Sequence, residues 1–274
     1  MASYTAQSRE QGRAPLPMAA RRDTWWLAPA ATFIVFTAFV VYTTFRVFEN
    51  NYYKSPYKWG PYLSPMYSPL LPFHVVVNLP LIGPKMISPA VYILLFPLLF
   101  RLTCYYYRKA YYRSFVFDPP GCAVPEPNPE RRMRYTGERV FPLIAQNFHR
   151  FALYIAVLFI FILGWDAIRS FMWPGPDGTK HFGMGVGSLV LTINVVLLAL
   201  YTFGCHSWRH LIGGSLNCYS CDALSRTRYG LWVKFSFLNR RHALFAWLSL
   251  IWVALTDLYV RLAAMYPGFD VRFF

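Results

Sequence analysis

The sequence predicts an all-α integral membrane protein, five transmembrane helices in a bundle, and three observations predict it. Its 274 residues are 56% hydrophobic and only 14% charged, a composition unlike that of an ordinary soluble domain. The apolar residues fall into five blocks, each near the ~20 helical residues needed to cross a hydrocarbon layer of ~30 Å. In lipid a chain must satisfy its own backbone hydrogen bonds, so each block reads as a helix. The basic residues alternate between successive connections, which places the N-terminus in the cytoplasm and the C-terminus outside. The helices are expected at about 25–47, 89–110, 141–171, 183–211 and 242–264. They form a transmembrane domain over 25–266, preceded by a cytoplasmic segment 1–24 and followed by an outer tail 267–274.

The leading MASYTAQSREQGRAPLPMAARRD is polar and too long for a signal-peptide n-region, and no cleavage-type site follows the first block, so helix one reads as a retained anchor. The connection NNYYKSPYKWGPYLSPMYSPLLPF is rich in Tyr, Pro and Ser and reads as extended loop with short turns at the membrane interface. Pro97 in helix two and the glycines of GMGVG opening helix four are ordinary in membrane helices. FDPPGCAVPEPNPERRMRYTGERV is a long proline-rich connection, disordered alone or held by a partner. Asp257 and Arg261 on helix five, four residues apart, read as an intrahelical ion pair. Asp166 and Arg169 near the outer end of helix three read the same way.

The formal charge of +15 would suggest nucleic acid in a soluble protein, but its distribution points to topology. Arg9, Arg13, Arg21 and Arg22 precede helix one; Arg108, Lys109, Arg113, Arg131, Arg132, Arg134 and Arg139 follow helix two; Arg226, Arg228, Lys234, Arg240 and Arg241 precede helix five. The other connections hold only Lys54, Lys58, Lys85 and Lys180. No nucleic-acid partner is expected. Five cysteines, Cys104, Cys122, Cys205, Cys218 and Cys221, fall on or beside the cytoplasmic side, where thiols stay reduced, so no disulfide framework is expected.

Charged and ligand-type residues inside a bilayer are costly and mark function by default. Cys104, His149 and Cys205 each lie six to eight residues inside a helix end, which puts them roughly 9 to 12 Å below one membrane surface at the helical rise. His206 and His210 follow on helix four, and His242 opens helix five. Four helices thus bring Cys or His to one cytoplasmic layer, and the outer half of the bundle brings none. His206 and His210, four apart, share a helical face, with Cys205 and Arg209 on the neighbouring stripe. One lone Cys or His more often serves packing; a whole layer points to a redox metal or haem site.

The donor set leaves the centre open. Two histidines from different helices suit a b-type haem but leave the thiols unexplained. Two cysteines with two histidines suit a Rieske-type [2Fe-2S] cluster, although the loop motif of soluble Rieske domains is absent. Zinc is allowed by ligand type. The metal candidates are Cys104, Cys122, Cys205, His149, His206, His210 and His242. Cys122 belongs to them only if its loop folds back. Cys218 and Cys221 in LNCYSC form a lone C-x-x-C, a weak zinc or redox signal. Arg209, Trp208, Ser207 and Tyr106 are candidate quinone neighbours, by hydrogen bond or ring stacking. Arg101 stands one turn before Cys104, placed to meet an anionic group. A non-redox anchor or a transporter is the competing class, but its substrate path would need polar residues through both halves of the bilayer.

TCYYYRKAYYRSF, DPPGCAV, FPLIAQNFHRFALY, CHSWRHLIGG and LTDLYVRL together resemble the fused, five-helix membrane-anchor subunit of bacterial succinate dehydrogenase, respiratory complex II, of the actinobacterial type. The resemblance covers about Thr103 to Leu262. It implies a multi-pass plasma-membrane subunit that holds a flavoprotein subunit and an iron-sulfur subunit on its cytoplasmic face. It further implies that the subunit passes their electrons to menaquinone or ubiquinone, with succinate oxidised on a partner. Relatives with five helices usually bind b-type haem, whereas the actinobacterial type carries a Rieske-type cluster within the membrane. The absence of histidine from helix one, TWWLAPAATFIVFTAFVVYTTFRVF, departs from the two-haem pattern.

Overall fold

The computed structural model describes residues 24, 26–56, 59–72, 75–79, 83–116, 139, 141, 143–175, 177–214 and 216–274. Cys122, and the segments 1–23 and 117–138, lie outside them. Eight α-helices are found among the described residues: α1 Leu27–Glu49, α2 Ala90–Thr103, α3 Tyr105–Val116, α4 His149–Arg169, α5 Val186–Phe203, α6 His206–Gly213, α7 Ala223–Arg240 and α8 His242–Met265. By length and composition, α1, α4 with its leading turn, α5 and α8 suffice to cross a membrane, and the bent pair α2 and α3 raises the number to five. The fold is therefore an all-α membrane bundle.

Two of the expected helices are broken. Helix two ends at Thr103. Cys104 adopts an extended backbone, φ −65° and ψ 126°, and α3 departs at 81° to α2. The sequence explains the departure, because YYYRKAYYRSFV alternates rings with cations and has no face for lipid all round. Instead α3 packs across the start of α1, with Phe33 and Phe115 edge to face at 4.9 Å. Helix four ends at Phe203, and Cys205 is extended in the same way, ψ 145°, before α6 begins. A helical turn over Leu143–Phe148 leads into α4.

The core of the bundle is α5 packed between α4 and α8, with α2 against α4 and α1 against α8. Over its described residues the Tyr- and Pro-rich connection is the loop with a short turn expected of it. It folds into the far end of the bundle through a short turn at Pro65–Tyr67, capped by Ser64, and buries Tyr62, Met66 and Tyr67. Gly187 makes room for it, since a Cβ there would stand 2.5 Å from the Tyr62 ring. Two small antiparallel hairpins, β1 Val75–Leu79 with β2 Gly83–Ile87 and β3 Met172–Pro174 with β4 Lys180–Phe182, complete that end.

The expected pairing of Asp257 with Arg261 is not what forms. Arg46 of α1 and Asp257 of α8, both fully buried, meet at 2.6 Å, while Arg261 reaches Glu49 at 2.8 Å. Asp166 accepts a hydrogen bond from Ser68 of the packed loop. Arg46 also pairs with Glu49 within α1, and the other polar pairs of this end tie different elements together. Cys218 and Cys221 are joined by a disulfide in the loop before α7, contrary to the expectation of reduced thiols throughout.

Candidate functional site

The opposite end of the bundle is built around buried residues Phe100, Cys104, Tyr107, Leu153, Tyr201, Cys205, Ala246 and Leu250. Cys104 and Cys205 are its free thiols, each 3% exposed. The two breaks in the helices place them. Cys104 closes α2 and Cys205 follows the last residue of α5, and each stands at the N-terminus of the next helix. His149 opens α4 and His242 opens α8.

These four side chains meet as two pairs. His149 Nε2 lies 3.0 Å from Cys205 Sγ, and His242 Nε2 lies 3.4 Å from Cys104 Sγ. Both thiols belong to the one buried cluster of this end. Among the described residues no three metal-type donors converge on a single point; the arrangement is two by two.

The orientation of His149 follows from its neighbour. Thr103 Oγ1 donates to the Leu99 carbonyl at 2.7 Å and lies 3.0 Å from His149 Nδ1. A hydroxyl has one proton, so Oγ1 accepts from Nδ1–H and the lone pair of Nε2 is left toward Cys205. That is how a ligating histidine is held by its other nitrogen. Phe100 stacks on the His149 ring at 4.6 Å, and Tyr201 stacks on His242 at 4.9 Å. Flat rings thus cover both imidazoles.

The other sequence candidates are placed differently. His206 and His210 are exposed on α6, and no hydrogen bond joins them to the four. The break before α6 ends the continuous helix that would have set their shared face beside the stripe of Cys205. Ser207 lines a cavity of about 350 Å³ with Gln146, Asn147, His149, Arg150 and Phe151. Arg209 is held by Asn239 at 3.1 Å and over the Trp232 ring at 4.5 Å. Trp208 packs on Phe203 and Phe235, and Tyr106 accepts from the Trp247 indole at 2.8 Å.

Sequence reasoning missed Thr103, Tyr201, Tyr107 and Gln146. Thr103 and Tyr107 flank Cys104 within one turn, and Gln146 sits one turn before His149, so each had a positional signal. Tyr201 had none beyond its place one turn before Cys205.

The model of actinobacterial succinate dehydrogenase subunit SdhC matches residues 27–266. The chain belongs to that family. It is thus a subunit of succinate dehydrogenase and a multi-pass protein of the bacterial plasma membrane. A chain of the Mycobacterium smegmatis Sdh1 complex in the apo form is similar to this SdhC subunit, with 43% identity over 96% of this chain and 97% of that chain and a TM-score of 0.77. No curated protein matches the sequence.

Proposed function

We propose that this SdhC subunit holds a Rieske-type [2Fe-2S] cluster on Cys104, Cys205, His149 and His242. Through it, electrons from an iron-sulfur subunit, drawn from succinate on a flavoprotein subunit, reach menaquinone or ubiquinone. The observation that carries the reading is the meeting of two buried thiols and two imidazoles, from four separated parts of the chain, as two pairs. When bound, such a cluster supplies a one-electron relay whose histidine ligands raise its potential above that of an all-cysteine centre. The residues present fit it: two thiols and two imidazoles are the donor set that would hold such a cluster, and Thr103 sets the tautomer of His149. A b-type haem fits less well, because Phe100 and Tyr201 already lie flat on the imidazoles and each Nε2 faces a thiol.

The chain's own groups prepare the rest. The aromatic packing of Phe100, Tyr107 and Tyr201 excludes water from the thiols. The cavity at Ser207 opens beside His149, where Gln146 Oε1 is buried without a partner, and we place the quinone headgroup there. Ser207 and Gln146 then orient it, whereas Arg209 and Tyr106 are engaged elsewhere. The positive-inside distribution makes this end the cytoplasmic one, and the basic faces of α3 and α7 then receive the partner subunits.

One spectrum of the purified complex tests the reading. Broad visible absorbance with an EPR signal of low average g is expected after reduction. A sharp reduced α-band with no such signal would replace the cluster by haem.

A further inference from the structure

Arg101, in the last turn of α2, is a cation that meets no anion among the described residues. Its guanidinium bonds to the Tyr107 hydroxyl, to the Ala246 carbonyl at 3.3 Å and to Ser249 Oγ at 3.0 Å, all of them neutral. Among the described residues no carboxylate forms an ion pair with it. A guanidinium does not deprotonate in a protein, and an unmatched charge at membrane depth is costly. Its surroundings therefore ask for a negative charge that the described carboxylates do not provide.

Its position points to where that charge belongs. The guanidinium lies 4.7 Å over the Tyr201 ring and 5.4 Å from that of Tyr107. Tyr201, 1% exposed, stacks in turn on His242. Cation and imidazole thus share one aromatic neighbour, and Cys104 follows Arg101 by three residues, across the helix break.

We propose that Arg101 is a positioning residue for electron transfer: a fixed positive charge, clamped by Tyr107, Ser249 and the Ala246 carbonyl, that raises the reduction potential of the centre on its Cys104 and His242 side. The proposal rests on the cluster reading above. Two thiolates and two neutral imidazoles leave an oxidised [2Fe-2S] centre formally uncharged, so the electron delivered by the partner's iron-sulfur centre adds one negative charge. Arg101 stabilises that added charge, and the electron then leaves to quinone. The hydroxyl and carbonyl clamp keeps the guanidinium from swinging toward lipid headgroups, so the charge stays in place through turnover.

The test is an EPR-monitored redox titration of the whole purified complex. Arg101→Gln is expected to weaken electron acceptance tenfold or more, a fall in midpoint of about 59 mV or more for one electron. Arg101→Lys, which keeps the charge, restores most of it. Ser249→Asp leaves Arg101 in place but neutralises it across the 3.0 Å contact, and lowers the midpoint in the same direction. If Arg101 only ties α2 to α8, an assembled Arg101→Gln complex with wild-type iron content keeps the wild-type midpoint, and the proposal falls. Should Arg101→Gln not assemble, Ser249→Asp decides by the same criterion. A wild-type complex with no [2Fe-2S] signal overturns the cluster reading itself, a result distinct from an unshifted midpoint.

Discussion

The two ends of the bundle are both rich in buried polar groups, and they treat them in opposite ways. At the end away from the cysteines, Asp257 accepts from Arg46, from Tyr42 at 2.6 Å and from Ser64, while Arg46 also reaches Glu49 and the Asn51 carbonyl at 3.0 Å. Asp270 is likewise surrounded, by Tyr62, Tyr259 and the Gly187 amide. Arg46, Glu49, Asp257 and Asp270 there each meet an opposite charge or a donor, although Trp173 Nε1 is buried without a partner. At the cysteine end, by contrast, Tyr201 Oη, His242 Nδ1, Gln146 Oε1, Trp208 Nε1 and Arg209 Nε are buried without partners, and Arg101 has no anion among the described residues. Closed polar networks hold a structure together, and each open buried group needs its own explanation. The difference teaches that one end is a clasp, whereas the other keeps open the polar groups around which the proposed site is drawn.

The strongest way to break this comparison is to remove the imidazoles. His149→Ala with His242→Ala is expected to leave an assembled complex that oxidises succinate with a soluble acceptor but has lost its EPR signal and its quinone reduction. His206→Ala with His210→Ala, by contrast, should leave iron content and midpoint unchanged. Loss of the signal from the second pair, with its retention in the first, would move the site onto α6.

At the other end the expected effect is on stability alone. Asp257→Ala strands the Arg46 guanidinium, fully buried and deprived of its main partner. Breaking a buried pair on one side costs about 3 to 5 kcal/mol. Thermal unfolding of the detergent-solubilised complex should fall accordingly, while the protein that remains folded keeps the wild-type EPR spectrum. A shifted spectrum would show that the clasp reaches the site and would dissolve the contrast.

Thr103→Val, nearly isosteric, takes away the acceptor of His149 Nδ1–H. A lost partner of this kind typically weakens metal binding 10- to 100-fold. Faster loss of iron to a chelator, with unfolding unchanged, is the expected outcome. Equal rates would mean that the ring is held by Phe100 stacking alone.

The legibility of the two ends in the sequence also differs. Hydropathy located the spans, and depth put Cys104, His149, Cys205 and His242 in one layer together with His206 and His210; the structure brings the first four together as two pairs and leaves the last two exposed. The breaks were hidden. Cys104 follows Thr103 with no proline or glycine to mark the turn, and a continuous helix four made His206 and His210 look like partners of Cys205. Once α6 starts afresh at His206, its histidines point elsewhere. At the clasp the local spacing of Asp257 and Arg261 misled, because the partner of Asp257 lies 211 residues away in Arg46. Spacing rules see pairs within one helix; packing between helices is decided by the fold.

The smallest expected effect lies outside the membrane helices, at the start of α7. Asp222 caps that helix, accepting from the Ser225 amide at 2.7 Å and from its hydroxyl at 2.8 Å. These bonds, the amide's first, hold its carboxyl below the usual aspartate range. A carboxyl depressed in this way adds stability above its unfolded value of about 3.9, and that stability is lost as pH falls through the lower, folded value. The Ser225 amide should therefore show steady hydrogen-exchange protection, corrected for intrinsic rate, from neutrality down to about pH 4, and fray below it. Asp222→Ala should show the frayed rate at every pH while leaving the cluster midpoint untouched. A midpoint that moved with Asp222 would tie α7, with its basic face, to the electron path as well as to the docking of partner subunits.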